Sequence, residues 1–437
     1  MKNTPIPADI VDQIVANSGI KEVGKASIRE VKRLINDIEK ASGKEFVRME
    51  MGIPGLPPCH VGVEAQIKAL QNGVAAIYPD IEGIPELKQE AARFVKNFID
   101  LDVNPENCIP TVGGMMGGMA GYMTFVRCRK ERDTTLFIDP GFPVQKQQHR
   151  VMGLKYETFD VYEHRGQKLR AKLESYLEKG HIHTIMYSNP NNPSWICFTD
   201  EELQIIGEVA NKYDVFVFED LAYFGMDFRQ NISTPGVAPF QPSVGKYTDN
   251  YALLISGSKA FSYAGERIAM LVMSNKLYNR EFDDLVPYFN MTKLGRAIIY
   301  GTVYAISSGV AHSAQYAMAA IFKACNDGTY NYINDIKEYG EKAAIMKKLF
   351  VDNGFKIVYD KDGDQDLADG FYFTIAYPGM SSDELLREFL YYGVSAISLS
   401  TCGSERTEGL RACVSLTPRS QFPMLEERLK MFNENHK

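Results

Sequence analysis

The chain lacks any C-x-x-C pair: its seven cysteines, Cys59, Cys108, Cys128, Cys197, Cys325, Cys402 and Cys413, are scattered. This spacing excludes a cysteine-based metal site and points to free thiols in a reducing compartment. Basic residues are in deficit, with 48 Lys and Arg against 55 Asp and Glu, a formal net charge of −7 and a pI near 5.7. Phosphate-backbone binding needs a basic face, so no nucleic-acid partner is expected. No run approaches the roughly 18 apolar residues of a membrane span, and the opening MKNTPIPADIVDQIV has no apolar h-region. The expectation is a soluble, cytoplasmic protein with no membrane partner. Histidine is sparse, and only His181 and His183 form a tight pair. Alternate residues of a strand could share a metal, but no third ligand accompanies them, so both read as structural and no metal is expected. No repeat or low-complexity segment is present.

What is there is enough for a large core: 437 residues, 45% hydrophobic and 24% charged, a length that allows two or three domains. Residues 1–50 read as a helical segment. SIREVKRLINDIEKASG places Ile28, Val31, Ile35 and Ile38 at helical spacing, with Ser27 as N-cap and Gly43 as stop. After the irregular MGIPGLPP, Gly83 and Pro85 open a helix whose buried face carries Leu87, Ala91, Phe94 and Phe98. From there apolar runs, TTLFIDP, HTIMYSNP, DVFVFED, YALLISGS and RIAMLVMS, are mostly separated by helical patterns, one opened by a Thr199/Glu202 capping box. That alternation predicts an α/β fold with a largely parallel sheet covered by helices on both faces. After about residue 320 the pattern becomes α+β. We therefore divide the chain into residues 1–50, packing with the smaller domain; 51–320, the large domain; and 321–437, the smaller domain. DKDGDQD, Asp360 to Asp366, resembles a calcium loop, but its glycine and its twelfth residue, Phe371, are wrong for one. It reads as a solvated turn.

Chemistry concentrates in five stretches. SGSKAFSYAGER, Ser256 to Arg267, sets Lys259 among small and hydroxyl residues at the end of the strand YALLI, where ligands sit in open α/β sheets. A lysine there is either solvated or a Schiff-base lysine whose pKa is lowered by burial. TVGGMMGGM places Gly113 and Gly114 ahead of a helix, free either to bind phosphate or to allow close packing. DPGFP puts Phe142 after a strand, SNPNNPSW presents amides including Asn192, and FEDLAYF ends a buried strand on Asp220 with Tyr223 three residues on.

Singly these are ordinary. In order, Asn192, Asp220 with Tyr223, Ser256-x-Ser258-Lys259, and Arg267 eight residues past the lysine closely resemble the class I/II aminotransferases of pyridoxal-phosphate fold type I. The resemblance runs from MGIPGLPP to GLRACVSL. It implies a large domain built on a mostly parallel seven-stranded sheet between helices, with a smaller α+β domain. It implies pyridoxal 5'-phosphate as cofactor, held as a Schiff base by Lys259, and a ping-pong transfer of an amino group from an L-amino acid to a 2-oxo acid.

It also implies roles. Asp220 keeps the ring nitrogen protonated, a contact worth up to about 4 kcal/mol at ~4 Å and an effective dielectric of ~20. Asn192 and Tyr223 serve the ring's phenolic oxygen, and Phe142 stacks on the ring. Arg267, Ser256, Ser258 and the backbone of Gly113, Gly114 and Met115 hold the phosphate. Tyr78 reaches the phosphate of the neighbouring subunit, making the active unit a homodimer with shared active sites. Arg411 and Gly52, with Asn192, bind the substrate. Against the family pattern, Trp195 after NNPS could reshape the pocket, Gly114 and Met115 leave the phosphate only backbone donors, and Glu266 either pairs with Arg267 or points away. A carbon–sulfur β-lyase would use the same lysine, aspartate and arginine. A regulator would need an added DNA-binding module, for which the segment before MGIPG leaves little room. Arg296 falls in a region that, in some family members, supplies a second arginine for an acidic side chain.

Overall fold

The computed structural model describes residues 4–437. At its centre is a seven-stranded sheet made of β1 (Cys108–Val112), β2 (Thr134–Asp139), β3 (Lys155–Asp160), β4 (Ile182–Ser188), β5 (Phe216–Leu221), β6 (Tyr251–Ser256) and β7 (Ile268–Met273). Its order is β1-β7-β6-β5-β4-β2-β3. The five strands from β6 to β3 are parallel, and β7 runs antiparallel to both β6 and β1. Every residue of β2, β4, β5, β6 and β7 is buried. That accounts for their continuous apolar character, since helices cover both faces and leave no solvent side to alternate toward. The fold class is therefore as expected, with two strands the pattern did not single out. Those are the edge strands: β1 carries Pro110, which an edge tolerates, and β3 is the polar and largely half-buried KYETFD.

Helix signals hold where side chains close the helix ends. Ser27 with Glu30, Thr199 with Glu202 and Ser381 with Glu384 each form a complete capping box. In the helix Ile28–Ser42, Val31, Leu34, Ile35 and Ile38 are buried, each contributing about 1.5–3 kcal/mol relative to exposure. This segment contacts the C-terminal part of the chain: Ile6 N donates to Tyr391 O at 3.0 Å, and Val47 pairs with Val394. The smaller domain is an antiparallel four-stranded sheet in the order Ile397–Ser398, Leu410–Cys413, Tyr372–Ala376, Lys356–Ile357.

DKDGDQD is a solvated turn as expected, with six of its seven residues exposed, and it closes a β-hairpin of Lys361–Asp362 against Gln365–Asp366; Asp362 alone departs from the expectation. Asp362 is buried and accepts from Arg165 Nη1 at 3.1 Å, Arg229 Nη2 at 3.1 Å and Cys197 N at 3.2 Å. A local turn signal cannot show that two arginines from distant segments will cover one of its carboxylates. His183 is buried between Thr135 and Thr184, where burial lowers it to about 3 and keeps it neutral, and His181 pairs with Glu157. All seven cysteines are free and buried. No helix among the described residues is long and apolar enough to cross a membrane.

Candidate active site

The site forms at the C-terminal ends of β5 and β6. Ser256 closes β6, and its Oγ accepts from Ser258 N at 3.1 Å, starting the short helix Gly257–Ala260 that carries Lys259. The lysine is half-buried, its Nζ donates to Gly52 O at 2.6 Å, and the ring of Phe371 lies 5.6 Å away. Burial pulls Lys259 down to about 8, and the nearby charges of Arg411 and Arg267 act in the same direction.

On the neighbouring strand Asp220 is buried and pairs in register with Leu254. Its Oδ1 accepts from Ala222 N and its Oδ2 from Gln145 Nε2, each at 3.0 Å. Burial pushes it up to about 6 against the pull of those two hydrogen bonds. Gln145 has no counterpart in the sequence reading. It lies in the first turn of the helix Pro143–Met152, for which half-buried Phe142 is the N-cap residue, and the only available signal was its spacing of three from Phe142.

Across the sheet, β1 runs directly into the helix Gly113–Phe125. Gly113 has φ +66°, and a β-carbon there would stand 2.6 Å from Arg267 Nη2. Glycine is thus what lets the guanidinium lie against the helix N-terminus, where the N–H groups of Gly113, Gly114 and Met115 have no intrahelical acceptor. Arg267, itself at φ +54°, is exposed and spends Nη1 on Ala264 O at 2.8 Å. Glu266 instead accepts from Gln66 Nε2 at 2.5 Å, which settles its direction as away from the cradle. One cation, a run of free N–H groups and the hydroxyls of Ser256 and Ser258 make the chemistry of an anion site.

Arg411, on Leu410–Cys413, is 1% exposed. Its Nη2 donates to Glu50 O at 2.6 Å and its Nη1 to Asn192 Oδ1 at 3.3 Å, while Nε has no partner among the described residues. Arg411 and Lys259 therefore converge on one short segment, through Glu50 and Gly52. The Glu50 carboxylate is turned elsewhere, to Arg48 and Ser395. Tyr372, also unforeseen, lies under Arg411, with Cζ 4.6 Å from its ring centroid, and its hydroxyl meets that of Tyr223 at 2.8 Å. A β-carbon at Gly52 would overlap that Tyr372 hydroxyl. Trp195 is fully buried, edge-on to Tyr223 at 5.3 Å and to Tyr372 at 6.0 Å. It backs these two rings and fills the space beside Gly370.

Two residues stand apart. Tyr78 is 88% exposed and, with Glu82, Lys88 and Tyr300, lines an open depression of about 820 Å³. Arg296 is exposed, with its guanidinium 5.1 Å from the ring centroid of Tyr300.

Comparison with known proteins agrees with this architecture. The chain is 25% identical over 369 residues to an aspartate aminotransferase from Pyrococcus horikoshii, covering 83% of each. It is 23% identical over 336 residues to an LL-diaminopimelate aminotransferase from Natranaerobius thermophilus, covering 74% of this chain and 76% of that one. Among solved structures, an alanine aminotransferase from Pyrococcus furiosus superposes with a TM-score of 0.74 at 21% identity, over 93% of this chain and 97% of that one. The family model for aminotransferase class I and II matches residues 44–422. With the fold and the family model in agreement over most of its length, the chain belongs to the class I and II aminotransferases, enzymes that work with pyridoxal phosphate.

Proposed function

We propose that this chain is a pyridoxal-phosphate-dependent transaminase acting on α-amino acids, with Lys259 as the residue that holds the cofactor. The observation that carries the reading is the buried guanidinium of Arg411, whose Nε has no partner among the described residues, beside a lysine drawn down to about 8. A carboxylate at Arg411 and an amine at Lys259 are the two ends of an α-amino acid.

The residues present fit the cofactor. Arg267, the N–H groups of Gly113, Gly114 and Met115, and the hydroxyls of Ser256 and Ser258 would hold its phosphate. Asp220, buried and held by Gln145, would keep a proton on its ring nitrogen. Asn192 and Tyr223 would donate to its phenolic oxygen, and Phe142 would face its ring. When bound, the cofactor supplies an electron-withdrawing ring that stabilises negative charge at the substrate α-carbon. Lys259, lowered to about 8 and so neutral for a useful fraction of the time near that pH, would hold the cofactor through its Nζ and would carry a proton to and from the substrate α-carbon. Arg411 orients the α-carboxylate by bidentate hydrogen bonding, with Gly52 alongside. The exposure of Tyr78 supports a homodimer in which it completes the neighbouring site.

Borohydride reduction of the protein loaded with pyridoxal phosphate tests the assignment. One stable adduct, on the peptide carrying Lys259 and absent from Lys259→Ala, is expected; an adduct on a different lysine would refute it. Exposing the loaded protein to a panel of amino acids should bleach its absorbance band for true donors and release the matching 2-oxo acid. Pyruvate and ammonia from cysteine without any 2-oxo acid acceptor would instead identify a β-lyase.

A further inference from the structure

Tyr223 and Tyr372 form a pair whose protons do not balance. Two hydroxyls carry two protons, and between them they share one hydrogen bond of 2.8 Å. The rings are 4% and 2% exposed, packed against Trp195 and Phe371. One O–H proton therefore has no acceptor among the described residues, a costly state for a buried donor unless a ligand accepts it.

Which hydroxyl keeps its proton free depends on which donates, and the surroundings differ. Arg411 lies over the ring of Tyr372, 4.6 Å from its centroid. A cation on that face withdraws electron density from the phenol and makes its O–H the stronger donor. The other titratable groups around the pair are Cys413 and Cys402, both buried, which offer only weak donors or acceptors.

We propose that Tyr372 is a positioning residue that donates to Tyr223 Oη, leaving the Tyr223 proton aimed at the phenolic oxygen of the cofactor and strengthening that donation. Gly52 belongs to the same device, because its missing β-carbon leaves the space the Tyr372 hydroxyl occupies. The inference rests on the proposed cofactor site and adds a residue that acts through Tyr223.

The test is an absorbance titration of the loaded protein against pH. A donor to the phenolic oxygen holds negative charge there and lowers the pH at which the lysine linkage gives up its proton. Tyr372→Phe should raise the midpoint by about 0.5 to 1 pH unit. Tyr223→Phe should raise it further, and the double variant should match Tyr223→Phe alone. Replacing Tyr372 with 3,5-difluorotyrosine, a stronger donor of nearly the same shape, should move the midpoint down, a sign that general loosening of the pocket would not produce. An unchanged midpoint in Tyr372→Phe, an additive double variant or an upward shift with the fluorinated ring would overturn the inference. A wild-type protein with no absorbance band would instead refute the cofactor site itself.

Discussion

Arg411 Nη1 reaches Asn192 Oδ1 at 3.3 Å, so a strand of the smaller domain touches the turn that follows β4, and the Nε of the same guanidinium is unpartnered among the described residues. A buried cation in this state is poised for an anion. Arg411→Lys keeps the charge but loses the planar fork. It should lower kcat/KM for amino acids by about 100-fold or more while the cofactor band is retained. Steady-state kinetics beside an absorbance spectrum separates the two, and unchanged kcat/KM would remove Arg411 from substrate binding.

Gly113→Ala brings two penalties. At φ +66° an L-residue is strained by about 1–2 kcal/mol, and its β-carbon displaces Arg267 from the helix N-terminus. The expected result is a fall of about tenfold or more in affinity for pyridoxal phosphate, measured by equilibrium dialysis. Inorganic phosphate should compete less well in the variant than in the parent; equal competition would place the phosphate elsewhere.

The acidity of Asp220 makes the cofactor-free protein sensitive to pH. Its value is raised to about 6 from an ordinary 3.8, chiefly by burial. The folded state then binds this proton more tightly than the unfolded chain, so stability is lost as pH rises from about 4 to about 6. Asp139 and Glu219, both raised by burial to about 7, extend the decline toward neutrality. Asp220→Asn removes one contribution, so its urea midpoint should fall less steeply across pH 4 to 6. Parallel slopes for the two proteins would contradict the burial argument.

Hybrid dimers test the placement of Tyr78. Lys259→Ala and Tyr78→Ala chains should each be poorly active alone. If Tyr78 serves the neighbouring subunit, mixing and refolding them creates one site per hybrid with an intact lysine and an intact tyrosine, and activity returns. No recovery would mean that Tyr78 acts within its own chain or not at all.

The parts of this molecule legible in the sequence are those where one local pattern decides the outcome. The five buried strands β2, β4, β5, β6 and β7 read directly as apolar runs, and the N-cap at Ser27 and the capping box at Thr199 follow from spacing alone. Lys259, Asp220, Tyr223 and Arg411 stand out as candidates because strand ends and motif order mark them. Gln145 and Tyr372 were not found, because what matters about each is a partner far along the chain: Asp220 for one, Tyr223 and Arg411 for the other. The burial of Asp362 is hidden for the same reason: its hairpin is solvated elsewhere, and Arg165 and Arg229 arrive from distant segments to cover this one carboxylate.

The reversed direction of β7 has a consequence for assembly. Being antiparallel to β6, it pairs Ala269 with Ser256 and so returns the chain to the sheet edge it has just left, without the long crossover that a parallel strand would need. On its other side it pairs Ile268 with Val112, which sets Arg267 beside Gly113. The hydroxyls of Ser256 and Ser258, the adjacent Lys259 and the guanidinium of Arg267 are thus joined by one short loop, and the entropy of closing it is small. Once β6 and β7 zip together, Ser256, Lys259 and Arg267 are held at one edge, ready for β1 and its glycines to dock.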